Sequence, residues 1–336
     1  MVQDRRPAAP HQTNVYLTID TEYSAALFRM LGEAGRAENF ARSILGRTPA
    51  GDAGIRYQMD VLDRHDLKAV FFVDPMPSLV WGQRAITDVV EPILARGHEV
   101  QLHLHTEWLA FARHKPPISR TGPDMRDFTR AEQRQLISWG IDALVAAGVR
   151  RPTAFRAGNY GANDDTLAAL SEVGIGIDTS HCPGIADSKC DISLTQWHLS
   201  PLLHCGVVEV PISAIRGFGD TLRHAQLTAL SHAELVAALR FAVETRAQCI
   251  TIVSHSFELL SRDRRRINRI LQRRFEALCR SIAAIPGCRT ETYRSAPPVA
   301  EPPGRSSPAA AALPHSPVRT GLRMAEQLIG NRLYGA

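Results

Sequence analysis

The sequence predicts a parallel α/β architecture, on three observations. Seven or eight short apolar runs read as buried strands. Segments with apolar residues at helical spacing separate them, the alternation that builds a parallel sheet covered by helices. Polar or ionisable residues close five of the runs at the same, C-terminal end, where parallel sheets and barrels collect reactive groups.

Val15 to Asp20 (V-Y-L-T-I-D) opens the series as a strand ending in acid, followed by Thr21-Glu22-Tyr23. Ser24 to Thr48 is mixed and partly helical, and Pro49 to Gly54 is a loop. Ile55 to His65 is helical, with Ile55, Met59 and Leu62 on one face. Leu67 to Val73 (L-K-A-V-F-F-V) is a second strand closed by Asp74-Pro75. Ile86 to Ala95 is a helix stopped by Gly97. The third strand lies in R-G-H-E-V-Q-L-H-L-H-T-E-W, Arg96 to Trp108. Val100, Leu102 and Leu104 alternate with Gln101, His103 and His105, so one face is apolar and the other polar. If the strand continues, Glu107 joins the polar face. Imidazoles at i and i+2 on one face are placed to share a metal ion.

Ala112 to Asp127 is a basic loop, and Phe128 to Ala147 an amphipathic helix ending at Gly148. Pro152 to Arg156 is a fourth strand leading into A-G-N-Y-G. Asn163 or Asp164 caps a helix running to Val173. Ile175 to Asp178 and Val207 to Ser213 are the fifth and sixth strands. Ser231 to Thr245 is a helix with Glu234 at capping-box spacing from Ser231. Cys249 to Ser254 is a seventh strand that delivers His255. Asp263 to Ala284 is an Arg-rich helix, and Arg289 to Tyr293 a last strand. Residues 1–14 are expected to be flexible, 15–295 to form the catalytic domain, and 296–318 to be a Pro/Ala/Ser-rich linker. Residues 319–336 form a tail containing a short amphipathic helix.

The chain has 336 residues, 44% hydrophobic and 22% charged, an ordinary globular balance. Its net charge of +5 comes from arginine, because Lys68, Lys115 and Lys189 are the only lysines. No basic cluster is interleaved with aromatics, which excludes a nucleic-acid surface. No apolar run reaches the length of a membrane span, and Met1 to Asn14 lacks the apolar region of a signal peptide. A cytoplasmic location is therefore expected, with reduced cysteines and at most a weak membrane-surface association through the tail. Cys182, Cys190 and Cys205 lie near His181, His198 and His204 at loose spacings, so ordinary packing is the expected reading and a second metal site the minor alternative.

The five strand ends carry Asp20 with Glu22, His103 with His105, Arg156, Asp178 and His255. Their order, T-I-D-T-E, G-H-E-V-Q-L-H-L-H, F-R-A-G-N-Y-G, I-D-T-S and I-V-S-H, resembles the polysaccharide deacetylase family over roughly Val15 to Tyr293. The resemblance implies a distorted, incomplete (β/α) barrel of seven or eight mostly parallel strands. It also implies a hydrolase that removes N-acetyl or sometimes O-acetyl groups from sugar polymers with a divalent metal, commonly zinc. Asp20 then matches the catalytic base, His103 the first metal histidine and Arg156 the arginine that orients the base. Asp178 matches the acid supporting the catalytic histidine, His255 the general acid, and Ile252 the apolar lining of the acetyl pocket.

Four features depart from the family pattern: the A-G-N-Y-G loop is one residue longer than usual, the fourth motif lacks its Trp, and two metal positions are changed. Thr21 stands where a metal-binding Asp is usual, and Glu107 where the second metal His is usual. The ligand set is therefore Glu22/His103/His105, or Asp20 or Glu22 with His103 and Glu107. Glu107, Trp108, Tyr160 and Ile252 are expected at the substrate. The substrate is an acetylated sugar or glycan precursor. The competing readings are a metal-independent amidohydrolase on the same fold and a non-catalytic carbohydrate-binding relative.

Overall fold

The computed structural model describes residues 12–113, 115–185, 187–302 and 312–335. Most of the expected flexible N-terminus and the middle of the expected linker lie outside the described residues. The main elements in chain order begin with β1 (Thr13–Thr21), α1 (Ile55–Arg64), β2 (Val70–Val73), α2 (Arg84–Ala95) and β3 (Glu99–Leu104). Then come α3 (Arg130–Ala146), β4 (Ala154–Ala157), α4 (Asp164–Glu172) and β5 (Ile177–Asp178). A hairpin, β6 (Leu202–His204) and β7 (Val207–Glu209), precedes α5 (His232–Glu244) and β8 (Cys249–His255). The chain continues through α6 (Arg269–Ala284), β9 (Cys288–Thr290) and α7 (Pro317–Tyr334).

These strands form one curled sheet in the order β8-β1-β2-β3-β4-β5-β7-β6. Every pair in it is parallel except the β6–β7 hairpin. The short β9 pairs with the first residues of β1, Thr13 to Val15, below the point where β2 joins at Thr18. The result is a half-barrel with helices outside, as the sequence predicts.

The pleat sorts the side chains. Leu17, Ile19, Phe71, Val73, Leu102 and Phe155 face outward into the main core beneath the helices. Tyr16, Val70, Phe72, Ala154, Ile177, Val210 and Tyr293 fill the inside of the curl. Because period two is strict in a strand, Asp20, His103, Arg156 and His255 fall on the inner face, above that inner cluster. The Arg-rich helix begins at Arg269 rather than Asp263, since Asn268 caps it by accepting from the N–H groups of Ile270 and Leu271.

Local signals fix the helix starts. On α5 the Ser231 hydroxyl oxygen accepts from the Glu234 N–H, while the Glu234 carboxylate accepts from the Ser231 N–H at 2.9 Å. Both residues are buried, so water cannot replace the lost bonds. Ser231→Ala is expected to lower the unfolding free energy by about 1 kcal/mol, measured by urea denaturation with the m-value unchanged.

Candidate active site

Asp20 and His255 sit opposite each other on paired strands. They are register partners on β1 and β8, and His255 Nε2 lies 3.9 Å from Asp20 Oδ2. The first and seventh strands of the sequence are thus direct neighbours. Arg156, fully buried at the end of β4, donates from Nη1 to Asp20 Oδ1 at 2.5 Å and to the Thr18 hydroxyl at 3.0 Å. Its guanidinium stacks 4.3 Å above the Phe72 ring. Thr179 accepts from the same group through its carbonyl and hydroxyl oxygens.

Glu22 repeats the inner-face position of Asp20 two residues on. The Thr21 hydroxyl between them turns away to the Ile19 carbonyl. Glu22 Oε2 lies 3.3 Å from His103 Nε2 and also contacts His105 Nε2. One ligand atom from each of Glu22, His103 and His105 fits within 4.8 Å of the others. His103 Nδ1 lies 2.8 Å from the Arg156 carbonyl. A carbonyl only accepts, so Nδ1 carries a proton, and Nε2 is the ring nitrogen turned toward Glu22, from which it would bind a metal. Two imidazoles and a carboxylate on one side form a donor set that suits a divalent metal with open positions. The residues therefore fit the group the sequence implies.

Gly158 makes the approach of His105 possible. A Cβ at that position would lie 2.7 Å from His105 Nδ1 and 2.8 Å from the Leu104 carbonyl. The first glycine of A-G-N-Y-G thus leaves room for the imidazole. Glu107, the alternative ligand, is outside the cluster. The strand stops at Leu104 and a short helical turn follows, so period two no longer holds, and Glu107 pairs with Arg29 at 3.2 Å.

Three further expectations need correction. Trp108 does not reach a substrate. It is fully buried among Phe28, Trp81 and Phe111 on the outer side of β3. Ile252 also faces outward, paired in register with Leu17, and its neighbour Val253 faces inward with Cys182, Ile212 and Tyr160. Asp178 is in register with outward-facing Phe155, away from His255. Its carboxylate accepts from the Ser180 N–H at 2.8 Å and from the Ser180 hydroxyl at 2.9 Å. Ser180 in turn accepts from the Ala157 N–H, so Asp178 braces the end of β4. Burial raises the Asp178 carboxyl, and burial with the Asp178 charge raises Glu209 beside it. Tyr160, half-buried, stands over the inner face beside Val253.

The partner of His255 is Glu258, which the sequence reading missed. Glu258 Oε2 accepts from the His255 N–H at 2.9 Å and lies 3.6 Å from its Nδ1. Gln226 and Thr228 hold the other oxygen, Oε1, at 2.9 and 2.7 Å. Burial opposes the charged imidazole, but the hydrogen bond and charge of Glu258, then the charges of Asp20 and Glu22, raise it to about 9. Burial opposes ionised Glu258 too, yet His255 brings it down to about 2. The spacing H-S-F-E is the sequence signal for this pair. Asp74, at the end of β2, was also passed over. Burial pushes its carboxyl up to about 8 against the charge of His105, and Oδ1 accepts from the Met76 N–H at 2.9 Å.

Comparison with known protein families gives a match across this region. Residues 51–177 match the polysaccharide deacetylase family. The matched segment holds the His103 strand and the A-G-N-Y-G loop of the deacetylase pattern, while Asp20, Glu22 and His255 come from outside it. By sequence, no curated protein matches the chain. Among solved structures, a candidate polysaccharide deacetylase from Mycobacterium smegmatis is 16% identical, over 89% of this chain and 96% of that one, with a TM-score of 0.56. That likeness establishes the fold. A family 4 carbohydrate esterase from Streptomyces lividans, in complex with acetate, is 14% identical over 87% of this chain and 99% of that one, with a TM-score of 0.43.

In metal-free protein the raised His255 stabilises the fold fully below about pH 6.5, and that contribution is lost as pH rises through about 9. Glu258→Gln removes the largest of the raising partners. The His255 midpoint, followed by NMR titration, is expected to fall by at least about one unit. A midpoint still near 9 would show that Glu258 does not hold the proton.

Proposed function

We propose that the protein is a metal-dependent hydrolase that removes an acetyl group, from nitrogen in the first instance, from a sugar or glycan precursor. The observation that carries the reading is the convergence on one inner face of an Arg156-held Asp20, a Glu258-held His255 and the Glu22/His103/His105 cluster. A divalent cation bound by those three residues, zinc as first candidate, supplies Lewis-acid polarisation of the acyl oxygen and a nucleophilic water at neutral pH.

The chain's own residues do the rest. Asp20 accepts the proton of the attacking water, and Arg156 holds the accepting carboxylate in one orientation. His255, kept protonated by Glu258, donates to the leaving nitrogen as the C–N bond breaks. Acetate and the free amine result. Tyr160, half-buried on the same face, gives the acetyl methyl an apolar wall.

Acetate release from N-acetylated glucosamine oligomers tests the proposal. Asp20→Asn and His255→Ala are each expected to cost about 10²–10⁴ in kcat, assayed at a temperature where circular dichroism shows each variant folded. Near-wild-type turnover in both variants would refute the mechanism. His103→Ala is expected to abolish stoichiometric divalent metal, read by elemental analysis of the purified protein. An unchanged metal content would refute the ligand assignment.

A further inference from the structure

Helix α7 lies on the body with its polar side inward. Arg274 donates to the Glu326 carboxylate at 2.7 Å, Arg323 lies 3.6 Å from the Glu234 carboxylate, and the Tyr334 carbonyl accepts from the Arg262 N–H at 3.1 Å. Arg323 and Gly330 are buried. The opposite side is apolar and faces solvent. Val318, Leu322, Leu328 and Ile329 are 72%, 57%, 71% and 53% exposed, and Met324 and Leu333 are exposed with them. Val318, Leu322, Ile329 and Leu333 follow helical spacing and form one stripe. A surface helix ordinarily turns such a stripe into the core, and a contiguous exposed apolar patch marks an interaction surface.

No segment outside the described residues has the composition to cover this face. Residues 1–11 read M-V-Q-D-R-R-P-A-A-P-H and 303–311 read P-G-R-S-S-P-A-A-A. Charge chooses among the other occupants. The one carboxylate on α7, Glu326, is turned inward to Arg274, whereas Arg332 is exposed beside the stripe. Around the C-terminal end of the helix, Arg262, Arg265, Arg266 and Arg269 are exposed. The acid among them, Asp263, already accepts from the Ser261 hydroxyl and the Arg265 N–H. A second copy of the chain would set these arginines against one another. An anionic lipid surface offers apolar and negative layers in the order an interfacial helix uses.

We infer that α7 is an interfacial anchor, through which the protein docks on the surface of an anionic membrane. The apolar stripe enters the headgroup boundary and the arginines meet lipid phosphates. Among the described residues no helix is long and apolar enough to cross a membrane, so α7 lies on the surface rather than through it. A cavity of about 580 Å³ runs between α7 and the site, with Gln327 and Asn331 on one wall and His255 and Glu258 on the other. Docking therefore sets the His255 side of the site beside the lipid. If the proposed deacetylation holds, the substrate class it points to is a glycan carried on a lipid.

Sedimentation of the full-length protein with vesicles tests the anchor without any turnover, so failure of the deacetylase reading leaves it standing. Vesicles of phosphatidylcholine with phosphatidylglycerol are expected to bind it, less so as salt is raised, and phosphatidylcholine alone to bind it weakly. Leu322→Glu combined with Ile329→Glu is expected to lower partitioning by about tenfold or more. These side chains are more than half exposed, and circular dichroism checks that the fold is kept. No binding by the wild-type protein, or equal binding by the double variant, overturns the inference. So does a concentration-dependent dimer in sedimentation velocity that the double variant dissolves, which would give the face to a second copy.

Discussion

The site depends on one buried ion pair, Arg156 with Asp20. Arg156 has no exposure to water and Asp20 almost none. Such a pair is a poor source of stability, because each charge gives up its hydration. Removing either partner costs about 3–5 kcal/mol, since the other charge is left alone. The surroundings are built to tolerate it. Two threonines accept from the guanidinium and the Phe72 ring lies beneath it. Arg156 also acts through its main chain, because its carbonyl fixes the tautomer of His103. One residue thus orients the candidate base with its side chain and a candidate metal ligand with its backbone.

A second frame holds the candidate acid. Glu258 sits three residues beyond His255 and reaches back to both its N–H and its ring, while Gln226 and Thr228 complete the carboxylate's bonds. The two frames meet only at the Asp20–His255 gap. Each candidate proton-transfer group is therefore held by a different neighbour: Arg156 fixes the orientation of the Asp20 carboxylate, and Glu258 favours the charged form of His255.

The architecture was legible because strand periodicity and helix caps are local. Asp20, His103, His105, Arg156 and His255 were legible because chemistry-bearing side chains ended successive apolar runs. Two of the errors have one physical origin. Ile252 and Asp178 were taken by motif position, but each lies one residue out of phase with the inner face, where Val253 and Thr179 stand. A shift of one residue reverses the face of a strand. Glu107 as a metal ligand and Trp108 as a substrate contact failed for a different reason: the strand ends at Leu104, and no signal in H-T-E-W announces the turn. Glu258 was missed because loops after strand ends were read for motifs rather than for return contacts. The outward apolar face of α7 was hidden because amphipathicity tells which side differs, not which side docks.

The Asp20–His255 register separates what must stay constant from what can vary. The two groups are set by hydrogen bonding between adjacent strands, whose spacing is a property of the peptide backbone. No loop enters that measurement. The loops that follow the strands are therefore free to change length and composition with the ligand, while the distance between Asp20 and His255 is inherited unchanged. Evolution can retune selectivity here without rebuilding the proposed chemical step, and a designer exchanging those loops has the same freedom.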